Sequence, residues 1–298
     1  MPTATPQVLD LALPHVRLSA LAWGPSDGPL VVALHGFPDT AWTWRHLGPH
    51  LAERGHRVVA PFTRGYGPSA VPADHCFQVG ALISDAAALH GVLDGDERAV
   101  LVGHDWGAIT ANGLGAHEHN PYRAVVSLAV PPIPAMSDAL AGWGALRLAP
   151  KQLRLSWYTL FNQLPVLPER GFERLVRHLW RAWSPGYDAS EDLEHLLASA
   201  RTREQRAAVI GYYRAVPRVW AVPEGYADWH RTWTAMSTVP SLYLHGADDG
   251  CLQAAIAERA VARLPAGAEH LIVDGAGHFL QLEQPTIVND AITAFIER

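Results

Sequence analysis

Short apolar runs, each followed by a segment of helical spacing, recur along the first part of this 298-residue chain. Leu30–Leu34 (LVVAL), Arg57–Ala60, Val100–Gly103 and Ala124–Val130 read as buried strands, while Trp42–Glu53, Val79–Leu93 and about Trp106–Ala116 read as helices. Strands alternating with helices predict a mostly parallel, doubly wound α/β sheet, because each parallel connection needs a crossover long enough to hold a helix. Residues 8–23 alternate in polarity and run into Gly24-Pro25, which suits an opening antiparallel pair of strands.

The rhythm stops at Pro131-Pro132-Ile133-Pro134. It resumes with a strand at Pro240–His245, a helix at Gln253–Leu264, a strand at His270–Val273 and a helix at Pro285–Ile296. Between the two stretches, Trp, Tyr, Arg and Leu fall at helical spacing with no strand pattern. The expected organisation is a core in two parts, 1–132 and 234–298, interrupted by a helical cap at 133–233. Twenty-three Lys and Arg against 29 Asp and Glu give a net charge of −6, and no basic block occurs, so nucleic acid is not an expected partner. The opening MPTATPQ has neither a basic flank nor an apolar centre, and no apolar stretch approaches the roughly 20 residues that span a bilayer. A cytoplasmic protein without a membrane partner is expected. Cys76 and Cys251 form no disulfide framework and no metal spacing.

Gly103-His104-Asp105-Trp106-Gly107 lies between a predicted strand and a predicted helix. Gly-x-nucleophile-x-Gly in that setting makes a turn so tight that the central side chain stands above the sheet. Asp105 could merely cap the helix that follows, but two other motifs agree with the catalytic reading. Gly275-Ala276-Gly277-His278-Phe279 places a histidine just past the last strand, and His245-Gly246-Ala247-Asp248-Asp249-Gly250 offers two adjacent acids past the strand before it. Nucleophile, acid, histidine is the chain order expected of such a triad. His35-Gly36-Phe37-Pro38-Asp39 leaves the first parallel strand where backbone amides could line an oxyanion hole, which nominates the N–H groups of Phe37 and Trp106.

An aspartate nucleophile selects its electrophile. A carboxylate is already ionised at neutral pH, yet its attack on an ester or amide gives an anhydride that collapses back. Attack on a strained or activated sp3 carbon gives a stable alkyl ester, so an epoxide or an alkyl halide is the expected substrate. His278, oriented by the acid, would then activate water to cleave that ester. A departing halide needs N–H donors, whereas an opening epoxide needs a proton donor; Trp106 could serve either, and Phe37 offers no side-chain donor, which favours the epoxide.

HGFPDTAWTWRHL (35–47), RGYGPS (64–69), GHDWGA (103–108), LHGADDG (244–250) and GAGHFLQLEQP (275–285) resemble the α/β-hydrolase-fold epoxide hydrolases, and the likeness extends over nearly all of the chain beyond the first twenty residues. The resemblance implies the α/β-hydrolase fold with an inserted cap and hydrolysis of an epoxide to a vicinal diol, and cap tryptophans such as Trp157, Trp180 and Trp183, if some line an apolar tunnel to Asp105, favour a lipophilic one. It selects Asp249 over Asp248 as the triad acid. It also implies two cap tyrosines that hold the epoxide oxygen: Tyr158, upstream of Gln163-Leu164-Pro165, and Tyr213, in Gly211-Tyr212-Tyr213-Arg214, with Tyr212 as the neighbouring candidate. Asn162 and Gly211 depart from the family pattern in these two cap motifs. No metal, nucleotide or organic cofactor is implied, water is the co-substrate, and a homodimer stays open. A haloalkane or haloacetate dehalogenase with the same aspartate chemistry is the alternative, and a ligand sensor on this fold is a second.

Overall fold

The computed structural model describes residues 5–142 and 145–298; residues 1–4, within the N-terminal stretch, and residues 143–144, within the expected cap, lie outside it. Eight strands form one sheet: β1 (Gln7–Ala12), β2 (Arg17–Trp23), β3 (Leu30–Leu34), β4 (Arg57–Pro61), β5 (Val100–His104), β6 (Ala124–Leu128), β7 (Ser241–Gly246) and β8 (Glu269–Val273), in the order β1-β2-β4-β3-β5-β6-β7-β8. β1 and β2 pair antiparallel with each other, and β2 pairs antiparallel with β4. All pairings from β4 across to β8 are parallel. This is the α/β-hydrolase fold. The strands buried throughout, such as β3, β5 and β6, are those whose sequence is a continuous apolar run, as expected where helices cover both faces of a parallel sheet.

The order fixes where a ligand can sit. β3 lies between β4 and β5, so the chain reverses its winding there and the loops leaving β3 and β5 diverge. Such a switch point opens a crevice at the carboxyl ends of the strands, and the loops bordering it carry Phe37 and Asp105.

Helices α1 (Leu47–Ala52), α2 (Val79–Val92) and α3 (Trp106–Gly115) follow the early strands. The expected helix over 42–53 is divided: a 3-10 turn at Ala41–Trp44, capped by the Thr40 side chain, precedes α1. Pro49 explains the division, since proline fits the first turn of a helix but not its interior. β6 ends two residues early because Ala129 adopts φ 67°, outside any strand conformation.

Between β6 and β7 the described residues are helical or irregular: α4 (Ile133–Ala139), α5 (Ala149–Leu155), α6 (Trp157–Phe161), α7 (Leu167–Arg170), α8 (Phe172–Trp183), α9 (Ser190–Ser199), α10 (Arg203–Ala215) and α11 (Glu224–His230). α12 (Ala254–Val261), α13 (Leu280–Glu283) and α14 (Pro285–Ile296) complete the chain. The ends of the insert lie beside the core, α4 against α12 and α11 against α2. Its middle lies over the carboxyl ends of the strands. There the Trp180 indole donates to Pro38 O at 2.7 Å, the Tyr212 hydroxyl to Arg64 O at 2.9 Å, and the Gly250 and His278 amides to Trp183 O at 3.1 and 3.0 Å. Arg45 anchors α9 through Asp192 Oδ1 at 2.6 Å. No helix among the described residues is long and apolar enough to cross a membrane.

Candidate active site

Asp105 occupies the turn from β5 into α3 with φ 53° and ψ −112°, a conformation that costs a non-glycine residue of the order of 1–3 kcal/mol and is held by its surroundings. The two flanking glycines are required by contact. A Cβ on Gly103 would stand 2.1 Å from Gly107 O, and one on Gly107 would stand 2.2 Å from Leu34 O. The strand-to-helix turn therefore closes directly onto itself and onto β3. Gly36 has the same role on the facing loop, where a Cβ would meet Asp105 Oδ1 at 2.3 Å.

That close approach lets the Phe37 amide donate to Asp105 Oδ1 at 2.7 Å. The loop carrying Phe37 is held by His35, whose Nδ1–H donates to Gly36 O at 2.9 Å while Nε2 accepts from the Thr63 amide at 3.0 Å. Burial lowers the His35 pKa to about 4, so the ring stays neutral and Nε2 remains an acceptor. For Asp105 itself burial is the largest influence. It raises the carboxyl pKa to about 6, although nearby His278 and the amides of Phe37 and Trp106 pull it down.

His278 is fully buried, with Nε2 3.8 Å from Asp105 Oδ2 and Nδ1 2.9 Å from Asp249 Oδ2. Nε2 has no hydrogen-bond partner and is the ring atom nearer Asp105. Burial disfavours the imidazolium, but Asp249, with a smaller contribution from Asp105, outweighs it and raises the His278 pKa above the ordinary value. Asp249 is buried as well; His278 offsets the cost of that burial and holds the carboxyl below the ordinary range. The other Asp249 oxygen accepts from the amides of Cys251 and Leu252 at 2.6 and 3.0 Å. Asp248, the adjacent candidate, is exposed and points elsewhere.

The tyrosines separate by partner. Tyr158 and Tyr213 pack edge to face at 5.4 Å, and the Tyr213 ring also contacts Phe37 at 4.9 Å and Trp106 at 5.3 Å. Burial, with Asp105 contributing, raises both phenols well above 10, so both keep their protons at neutral pH. Tyr212, its neighbour on α10, also packs on Trp106 at 5.7 Å, but its hydroxyl is committed to Arg64 O and Thr63 Oγ1. Tyr158 and Tyr213, with Phe37 and Trp106, are thus gathered around Asp105.

Three further groups support the site without having been assigned a role from the sequence. Trp183 puts its ring 4.8 Å from His278 and 5.0 Å from Tyr158, while its carbonyl accepts from the Gly250 and His278 amides. Glu283 accepts from the Gly277 amide at 2.8 Å and the Ser184 hydroxyl at 2.5 Å, tying the histidine loop to the end of α8. Cys251 lies 3.5 Å from the Tyr158 hydroxyl. Among the described residues Asp249, Cys251 and His278 have ligand atoms within 4.8 Å of one another. Asp249 and His278 satisfy each other, however, and burial pushes the Cys251 thiol well above its ordinary pKa, which opposes the thiolate that metal binding needs.

A family model described as alpha/beta hydrolase fold matches residues 29–285. Epoxide hydrolase A of Mycobacterium tuberculosis is 30% identical, with 94% of each chain covered. Epoxide hydrolase 4 of Mus musculus is 28% identical over 95% of this chain and 77% of its own. Among solved structures, epoxide hydrolase A of Mycobacterium thermoresistibile superposes with a TM-score of 0.77 at 27% identity, covering 98% of both chains.

Proposed function

Because this chain belongs to the α/β-hydrolase-fold epoxide hydrolases, we propose that it opens a lipophilic epoxide to a vicinal diol through an ester on Asp105. One observation carries the reading: the two carboxylate oxygens of Asp105 have different surroundings. Oδ1 is held by the Phe37 amide, and Oδ2 lies free of that contact, 3.8 Å from His278 Nε2. Oδ2 is the attacking atom. It bonds to a ring carbon as the carbon–oxygen bond of the epoxide breaks, and Tyr158 or Tyr213 delivers a proton to the released oxygen. General acids of this kind contribute about 10²–10⁴ in rate.

Esterification removes the negative charge of Asp105, one of the influences that raise the His278 pKa. The imidazole then loses its proton more readily and becomes the base for the second step. His278 Nε2 takes a proton from water, the hydroxide adds to the Asp105 carbonyl carbon, and Oδ1 becomes an oxyanion facing the amides of Phe37 and Trp106. Collapse expels the alkoxide carrying Oδ2, which takes the remaining proton of the added water to complete the diol and restore the carboxylate, and the proton held by His278 returns to the tyrosinate. Residues 133–233 act as the cap that supplies the tyrosines to a core made of 1–132 and 234–298, and cap aromatics such as Trp183 keep water from the ester until His278 can direct it. The test is product analysis with a panel of aryl and alkyl epoxides and matched 1-haloalkanes: diol without halide release is expected, and halide release without diol would assign the dehalogenase chemistry instead.

Alkylation requires ionised Asp105, whose pKa is raised to about 6. Single-turnover alkylation should therefore fall about tenfold per pH unit below 6 and stay level from pH 7 to 9, since the phenols remain protonated there. A rate that instead rises as the pH drops below 6 would contradict an aspartate nucleophile.

The tyrosines offer a paired comparison. Tyr213→Phe should slow alkylation about 10²-fold with little change in thermal stability. Tyr212→Phe should leave alkylation within a few-fold while costing about 1 kcal/mol, because Arg64 O loses a buried donor. Rapid-quench kinetics and thermal unfolding read the two effects, and equal kinetic losses in both variants would contradict the assignment of Tyr213.

A further inference from the structure

We infer that the outer face of the cap, built from α5, α6, α7 and α8, docks the protein onto an anionic lipid bilayer. Two independent features meet there. The first is an apolar row. Leu153, Trp157, Leu160, Leu164 and Leu167 are spaced four, three, four and three residues apart and are 73%, 40%, 76%, 42% and 54% exposed. Isolated exposed leucines are ordinary, but five large apolar side chains exposed within fifteen residues, on α5, α6, the turn after it and the start of α7, are the apolar part of a docking surface.

The second feature is charge. Residues 145–183 hold seven Arg and Lys against two Glu, a local balance of +5 in a chain whose net charge is −6. Both glutamates are paired, Glu169 with Arg214 and Glu173 with Arg177. Arg174 and Arg181 make no ion pair among the described residues and stand exposed. Apolar and cationic parts adjoin. A groove of about 390 Å³ lined by Trp157, Phe161 and Leu175 shares Gly171, Arg174 and His178 with a neighbouring groove of about 670 Å³, whose walls also include Arg177, Arg181 and Arg206.

Charge complementarity selects the occupant. Two copies of the chain meeting through this face would set one cationic field against another, which an isologous contact cannot avoid. A soluble anion would answer the arginines and leave the leucine row in water. A bilayer carrying anionic headgroups satisfies both, with apolar side chains entering the interfacial layer and arginines meeting the headgroups. Such contact is separate from the bilayer span that the sequence lacks, and it goes beyond the reaction proposed above.

The full chain is tested by flotation with phosphatidylcholine vesicles, with and without 30% phosphatidylglycerol, at about 0.1 M salt, a composition chosen to vary surface charge alone. Two variants, Leu160→Asp and the double change Arg174→Glu with Arg181→Glu, report on the two parts of the face; unfolding temperature and turnover of a small water-soluble epoxide show that each remains folded. Binding to the anionic vesicles only, weakened about tenfold or more in each variant, is the expected result. Equal binding to both vesicle types, no binding, or anionic binding unchanged in both variants would overturn the proposal. Self-association abolished by Leu160→Asp without vesicle binding would assign the face to a second copy. Saturable binding of decanoate without vesicle binding would assign it to a free amphiphile.

Discussion

Asp105→Asn is expected to abolish epoxide turnover, by a factor on the order of 10⁴ or more, while leaving the protein folded and at least as stable at pH 8. The substitution suits the site. Asn is among the few residues that tolerate positive φ, so the backbone at φ 53° is retained, and an amide oxygen can still accept from the Phe37 N–H. What disappears is the charge. An amide is too weak a nucleophile to open the ring, and the tyrosines and amide donors have no attack to assist. The stability half follows from the sign of the pKa shift. Burial is the main influence raising Asp105 to about 6, so ionising it in the folded state opposes folding above that pH, and a neutral side chain removes the opposition. A loss of activity with a large fall in unfolding temperature would instead point to a structural carboxylate.

His278→Gln should separate the two steps. Alkylation depends on Asp105 and the phenols, so it should proceed to about one equivalent per active site. Hydrolysis then lacks its base and should slow by about 10²–10⁴. The time course changes from steady turnover to a burst that stops, and intact mass rises by that of the whole epoxide. Gln fills much of the imidazole volume, though Asp249 loses a charged partner. Some loss of stability is therefore expected, since the buried carboxylate keeps the amides of Cys251 and Leu252 and the His245 ring at 3.7 Å but loses its closest partner. A variant that loses the burst along with turnover would place His278 in the first step.

Much of this architecture is legible in the chain because the physics is local. Buried parallel strands such as β3, β5 and β6 read as apolar runs, and the Asp105 turn announces itself because only glycine leaves room at positions 103 and 107. Other features depend on where distant segments meet. Asp248 and Asp249 are indistinguishable by spacing, and only the fold turns one toward His278 and the other to solvent. Tyr212 and Tyr213 are equally aromatic neighbours on α10, separated by the helical turn that commits one hydroxyl to Arg64 O and brings the other ring beside Phe37 and Tyr158. Trp183 holds the loops carrying Asp249 and His278 from a helix about 70 residues upstream of the nearer one, and Glu283, although within GAGHFLQLEQP, shows its contact with Gly277 only once that loop is folded. The divided helix after Thr40 shows the reverse case: Pro49 was present in the sequence, and its effect on the first turn outweighs the apolar periodicity around it.

The central claim is that water attacks the enzyme rather than the epoxide. A single turnover in ¹⁸O-water, with the wild-type protein in excess over substrate, tests this directly. The account predicts an unlabelled diol, because its new oxygen comes from Asp105 Oδ2, and one ¹⁸O in the peptide containing Asp105. Label in the diol with none in the peptide would contradict the ester and leave Asp105 as a base for direct water attack.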